Sequence, residues 1–263
     1  MTSFAVTSPT LSAFHAHRSQ RLHTRRDRSQ VQALAQAQLQ YNKLGDSDLL
    51  ISEVTLGTMT FGEQNTEKEA HDMLSYSFDQ GINILDTAEM VRYIGVSNET
   101  SFGIMEFVHA AKAHGLPKIV SIQNIDLVEV CHPNNCNVGL LAYSPLAGGV
   151  LTGKYLDASA NISNRSRLNL FPGYMARYNA SLAKEATNEY VKLAKKHGLT
   201  PVQLALGFVR DRPFTTSSII GATNMDQLKE NIDAFTSAPR PLPQEVLAGI
   251  EDLFKRYKDP AIL

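Results

Sequence analysis

Cysteine is nearly absent from this 263-residue chain: Cys131 and Cys136 are the only two, within Cys131-His132-Pro133-Asn134-Asn135-Cys136. That excludes a disulfide framework, and without a second Cys/His pair the spacing supplies only half of a zinc site, which leaves a loop with two free thiols. Long hydrophobic runs are missing as well. Polar residues interrupt every stretch before it reaches the roughly 18 to 20 apolar residues of a membrane-spanning helix, so the chain reads as soluble. No GxGxxG sequence occurs, which argues against a Rossmann sheet.

A net basic balance is absent beyond the first forty residues. The formal net charge of -1 divides into +4 for residues 1–40 (Arg18, Arg21, Arg25, Arg26 and Arg28 against Asp27) and -5 for the rest. A basic cluster that stops where the folded part begins disfavours nucleic-acid binding. The same segment is rich in Ser and Thr and has no long apolar core, so it fits an organelle transit peptide, with a chloroplast as the expected destination. A disordered basic tail that stays attached, in a cytoplasmic protein, is the alternative.

What remains, 43% hydrophobic and 19% charged overall, suits one soluble domain with a sizeable core. Tyr41-Asn42-Lys43-Leu44 and Leu49-Leu50-Ile51-Ser52 flank a Gly45-Asp46 turn and predict a hairpin. Val54-Thr55-Leu56-Gly57 then reads as a buried strand. Thr66 with Glu69 three residues on is a capping-box signature. Ala70, Met73, Leu74 and Phe78 supply an apolar stripe before Gly81. Ile82-Asn83-Ile84-Leu85-Asp86 completes a β-α-β unit, which requires parallel strands.

The alternation resumes with a strand over 93–97, a helix over 100–114 and a strand over 119–123. Further strands are predicted over 139–143 and 218–221. Helices are predicted over 181–197 and, with Thr200 as N-cap, over 201–210. Two more follow from the apolar spacing of Met225, Leu228, Ile232 and Phe235, and of Val246, Ile250, Leu253, Phe254 and Tyr257. Such repeats favour a (β/α) barrel with its site at the carboxyl ends of the strands.

Several motifs now stand in one order: Leu56-Gly57-Thr58-Met59-Thr60-Phe61-Gly62, Leu85-Asp86-Thr87-Ala88-Glu89, Tyr93-Ile94-Gly95-Val96-Ser97-Asn98, Ala142-Tyr143-Ser144-Pro145-Leu146 with Gly153-Lys154-Tyr155, and Ile220-Gly221-Ala222-Thr223-Asn224 with Gln227-Leu228-Lys229-Glu230-Asn231. Together they resemble the aldo-keto reductase family across nearly all of residues 41–258. The resemblance implies an α/β fold, a (β/α)8 TIM barrel, that binds NADPH and passes hydride to an aldehyde or ketone.

It also implies roles. Ser97, Asn98 and Gln123 match positions that hold the nicotinamide carboxamide, and Tyr143 matches the aromatic stacked on its ring. Ser144, Leu146, Gly148 and Lys154 match the pyrophosphate loop. Gly221, Thr223, Gln227, Glu230 and Asn231 match the adenosine end. Taken singly, a Ser-Asn pair after a strand and Thr223-Asn224 before a helix are ordinary caps. Arg167 and Arg177 could meet a ribose 2′-phosphate or simply be solvated.

Of the family's catalytic tetrad, Asp86 matches the aspartate. Val91 stands where the proton-donating Tyr is expected, and the strands that carry the Lys and the His have no counterpart. Tyr93 starts the following strand at its far end. The expectation is a barrel domain over 41–263, internally deleted at 90/91 and at 124/125, with about six of eight strands and doubtful closure. Across the first junction the segment 83–98 is expected to form one over-long strand, to bend into a hairpin with one strand inverted, or to stay disordered. Three functional readings follow: a family member that no longer turns over, from a shortened product; a reductase working with other residues; or a non-catalytic NADPH-binding protein that pairs with a full-length copy.

Overall fold

The computed structural model describes residues 39–59, 61–87, 95–124, 128–132, 134–156, 170, 173, 176–258 and 260–261. The expected transit segment, apart from Leu39 and Gln40, lies outside these residues, as do Val91, Tyr93 and Arg167. Among the described residues no helix is long and apolar enough to cross a membrane, and no group of three or more His, Cys, Asp or Glu is placed to hold a metal.

The chain opens with the predicted hairpin, β1 (Tyr41–Lys43) paired antiparallel to β2 (Leu50–Ser52). Its turn needs glycine: Gly45 has φ +53°, and a Cβ there would lie 2.6 Å from the Val120 carbonyl oxygen. The Asp46 carboxylate beside it accepts from Lys118 Nζ and Asn137 Nδ2. Asn42 Nδ2 donates to the Thr216 carbonyl at 2.7 Å. These contacts seat the hairpin over the amino-terminal end of the main sheet.

That sheet has six strands: β3 (Val54–Gly57), β4 (Leu85–Asp86), β5 (Gly95–Ser97), β6 (Ser121–Asn124), β7 (Gly139–Tyr143) and β8 (Thr215–Ile220). They are all parallel, in the order β4-β3-β8-β7-β6-β5. Helices α1 (Glu67–Asp79), α2 (Ser101–His114), α3 (Val128–Cys131), α4 (Ser181–Lys196), α5 (Pro201–Arg210), α6 (Met225–Ser237) and α7 (Gln244–Tyr257) accompany the strands.

Local chemistry sets the helix starts. Thr66 with Glu69 and Thr200 with Gln203 form reciprocal capping boxes, and Thr100 and Asn224 each accept the N–H three residues on. Gly115 ends α2 in the left-handed region at φ +63°. The largest apolar cluster packs Val54, Leu56 and Ile220 of the sheet against Met73, Leu206, Leu228, Ile232 and Phe235 of α1, α5 and α6. A second joins Ile122 and Leu140 to Ile104, Val130 and Cys131. Both cysteines are free thiols, but Cys131 ends the short helix α3 rather than sitting in a loop. Its burial, with Cys136 beside it, pushes its pKa up to about 11.

The sheet is a (β/α)8 barrel left incomplete. Its edges are β4 and β5, the two strands that flank the short junction, so the open side lies where two further strands would stand. A flat sheet would set β4 and β6 four strand spacings apart, about 19 Å. Instead Gln123 Nε2 lies 2.7 Å from Asp86 Oδ2, so the sheet curls until side chains from its two flanks meet.

Two of the expected arrangements of the junction are overturned. The chain forms neither one over-long strand nor a hairpin with an inverted strand: β4 and β5 are separate, and both run parallel to the rest. The physical reason is that they are not neighbours. No helix-bearing crossover between adjacent strands is needed, and the eight residues from 87 to 94 can span up to about 30 Å. Residues 88–94 themselves lie outside the described set. The second junction carries the short helix α3, as its length allows.

The incomplete ring leaves apolar side chains uncovered. On α2, Ile104 and Ala111 face inward, yet Phe102 and Met105 are 72% and 42% exposed, and Leu116 just past the helix is 59% exposed. A helix apolar on several sides is built for more cover than it has here.

Candidate cofactor site

The predicted site residues gather at the carboxyl ends of the strands. Register does most of this work: Ser97 on β5 is paired with Gln123 on β6, Gln123 with Leu141 on β7, and Tyr143 with Ile219 on β8. Asp86, Ser97, Gln123 and Tyr143 therefore stand at or next to the carboxyl ends of their strands, on one rim.

Asp86, Ser97 and Gln123 form the first group. Ser97 Oγ donates to Gln123 Oε1 at 3.0 Å, Gln123 Nε2 donates to Asp86 Oδ2, and the Asn98 N–H donates to the Gln123 carbonyl at 3.2 Å. Asp86 is anchored through its own carbonyl, which accepts from Thr58 N and Thr58 Oγ1, both at 3.0 Å. The Ser-Asn pair does not cap α2, since that role belongs to Thr100. Asn98 is exposed and sits at φ +55°.

The second group follows Tyr143. Within 144–153 the backbone takes positive φ at Ser144, Ala147, Gly148, Gly149 and Gly153. Three of the five non-glycine residues with positive φ among the described residues are Asn98, Ser144 and Ala147, all on this rim. Backbone held in sparsely populated conformations concentrates at functional sites, and successive small residues of this kind let N–H groups face an anion. Leu146 packs inward against the main core, which holds the loop down. Lys154 is exposed and folds back over Gly149, where a Cβ would lie 2.9 Å from its Nζ. Gly149, which the motifs do not single out, sits at φ +92°, a conformation that favours glycine.

The third group lies at the start of α6. Gln227 Oε1 accepts from both Thr223 N and Thr223 Oγ1 at 3.0 Å, and buried Asn231 donates to the Gly221 carbonyl at 3.2 Å. Asn224 does cap the helix, accepting from Gln227 N at 2.9 Å. Asn65 was also missed. Buried after β3, it donates through Nδ2 to the Thr223 carbonyl at 2.6 Å, while its buried Oδ1 has no hydrogen-bond partner among the described residues. Nothing in its sequence neighbourhood announces this, because the contact spans 158 residues. Glu230 is exposed on α6.

These groups differ in readiness for a dinucleotide. The helix start and the small-residue loop with its lysine fit a phosphate-bearing nucleotide half. The Ser97–Gln123 pair, suited to a carboxamide, is engaged within the protein.

A model of the Aldo/keto reductase family matches residues 90–255. The chain is 31% identical over 353 aligned residues to Protein tas of Escherichia coli K12, covering 85% of this chain and 100% of that protein. It is 38% identical over 187 residues to an aldo-keto reductase of Babesia bovis, covering 66% and 62%. A probable voltage-gated potassium channel subunit beta of Oryza sativa is 38% identical over 112 residues, covering 41% and 33%.

Proposed function

The chain belongs to the aldo-keto reductase family, a family of oxidoreductases, and from that premise we propose that it binds NADP(H) while reducing carbonyl compounds little or not at all. The observation that carries this reading is the contrast at the rim. The positive-φ loop 144–153 and the Thr223–Gln227 bonds at the start of α6 suit a phosphate-bearing ligand, whereas among the described residues β4 and β5 are sheet edges with no strand between them to bear a Lys or a His.

When bound, NADPH would supply hydride to a carbonyl carbon. The protein's part is to hold and orient. Lys154 and the loop 144–153 would take the pyrophosphate, Gly221, Thr223, Gln227 and Asn231 the adenosine end, and the Tyr143 ring would lie against the nicotinamide. The proton for the carbonyl oxygen needs a donor within hydrogen-bond reach, and Val91, where the family's tyrosine is expected, has none to give. An internal deletion is supported by the match to Protein tas, which runs over 353 aligned positions while drawing on 85% of 263 residues. Well over a hundred positions thus have no residue of this chain opposite them.

Titration with NADPH, followed by calorimetry, tests the reading. Saturable one-to-one binding is expected, weakened about five- to tenfold in Lys154→Ala by loss of one charge contact to phosphate. A cooperatively folded protein that shows no saturable binding overturns it.

The exposed Phe102 and Met105 of α2, with Leu116 just past its end, favour a second reading, in which the chain works by associating with a full-length relative. Mixed with such a relative in a sedimentation experiment, it is expected to move to a heavier species, and independent migration of the two refutes the association.

A further inference from the structure

The two thiols take no part in the cofactor rim. Cys131 ends α3, and Cys136 lies in the connection that leads on to β7. That connection is folded back on itself: the Val130 carbonyl accepts from Cys136 N at 3.2 Å, and the His132 carbonyl accepts from Asn135 N at 2.9 Å and from Asn137 N at 3.3 Å. With standard covalent dimensions the first of these bonds alone keeps the Cα atoms of Cys131 and Cys136 within about 7.5 Å, close to the roughly 4.4 to 6.8 Å that a disulfide spans. The side chains share one environment as well. Cys131 is 4% exposed within the apolar cluster of Ile104, Ile119, Ile122, Val138 and Leu140, and half-buried Cys136 packs against that same cluster. Lys118 Nζ donates both to the Cys136 carbonyl and to Asp46 in the hairpin turn, which holds this loop at the amino-terminal end of the sheet.

We propose that Cys131 and Cys136 are a reversible disulfide-forming pair, oxidised by exchange with a small-molecule disulfide. The thiolate of half-buried Cys136 attacks one sulfur of the small disulfide, forming a mixed disulfide and expelling a small thiolate. The Cys131 thiolate then attacks the Cys136 sulfur, closing the bond within the protein and expelling the second small thiolate. Two protein thiols are oxidised, one small disulfide is reduced to two thiols, and the protons leaving the cysteines end on the departing thiolates. Burial favours the product. Among apolar side chains a thiolate is penalised, which is why the Cys131 pKa is pushed up to about 11, whereas a disulfide carries no charge and no S–H donor in search of a partner. The bond closes a ring over residues 131–136 and fastens the end of α3 to the approach to β7.

Equilibration of the full chain in buffers of set glutathione to glutathione-disulfide ratio, read by intact mass and by peptide mapping after alkylation, tests this. Native protein is expected to lose two hydrogens, to retain no glutathione, and to map the new bond to Cys131 and Cys136. Its equilibrium constant for closure is expected to exceed by at least about tenfold that of the same chain in urea, where only local sequence brings the thiols together. By linkage the bridged protein is expected to melt at a higher temperature than the reduced one. Cys131→Ser is expected to stop with one glutathione on Cys136. A closure constant no greater in native protein than in urea overturns the pairing, as does native protein that keeps both thiols at every ratio or accumulates glutathione at Cys136. These readings are made on the wild-type chain and do not depend on whether the variant folds.

Discussion

Replacing Arg210 with methionine is expected to lower the unfolding free energy by about 3–5 kcal/mol. Arg210 and Asp211 end α5 as an ion pair 2.8 Å apart, with side chains only 2% and 8% exposed. The guanidinium also donates to the carbonyls of Phe235 at 2.9 Å and Pro239 at 2.5 Å, and Asp211 Oδ2 accepts from Leu242 N at 2.8 Å. One pair thus fastens the end of α5 to the connection between α6 and α7. Methionine fills much of the volume but takes the counter-charge from the buried Asp211 carboxylate and the guanidinium donor from the Phe235, Ala238 and Pro239 carbonyls, and an uncompensated buried charge is the costly part. For a domain of this size the loss corresponds to about 6–20 °C in Tm, readable by calorimetry. Arg210→Met/Asp211→Leu is expected to recover part of it. A shift below about 2 °C in the single variant would mean that water reaches the pair. Lys68→Ala, by contrast, breaks an ion pair in which the lysine is 84% exposed, and the midpoint should not move measurably.

The other large effect is on rate. Purified protein given NADPH and a simple aldehyde is expected to oxidise the cofactor at least about 10²- to 10⁴-fold more slowly than an intact family member assayed alongside. That range is what loss of general-acid assistance alone forfeits, roughly 3 to 5 kcal/mol of barrier. Val91→Tyr is expected to return less than about tenfold. A phenol with no lysine to lower its pKa stays near 10, poorly matched to proton donation near neutrality. Absorbance of the reduced nicotinamide reads both. A wild-type rate within tenfold of the intact enzyme would mean that another residue supplies the proton.

Local chemistry made much of the fold legible in the sequence. The capping box at Thr66, the N-cap at Thr200 and the apolar spacing of α6 predicted helices close to their observed bounds. All six parallel strands were anticipated, β3 and β7 at their observed bounds and β4, β6 and β8 with shifted ends, while residues 93–94 before β5 lie outside the described set. β8 begins at Thr215 rather than Ser218, since its polar start is buried: Ser217 exchanges a hydrogen bond with Thr55 at 2.7 Å inside the curl, and alternation of apolar residues cannot signal that. β4 shrinks to Leu85–Asp86, having a neighbour on one side only. At the junction, reasoning along the chain treated β4 and β5 as a pair because they are consecutive. Their positions are set instead by β3, β8, β7 and β6. The same limit applies to the site: motifs named Gln123 and Asp86 separately, whereas their bond depends on how far the sheet bends.

The pairing of β3 with β8 bears on how the chain is made. Thr55 and Ser217, hydrogen-bonded across these strands, are separated by 162 residues, and β4 joins the sheet only through β3. At roughly 5–20 residues per second of synthesis, residues 54–86 leave the ribosome roughly 6–32 s before the strand that must receive them. During that interval Val54, Leu56 and Ile82 have no sheet to enter, so this stretch is where a nascent-chain chaperone has its opportunity, and release from it should coincide with the emergence of residues 215–220.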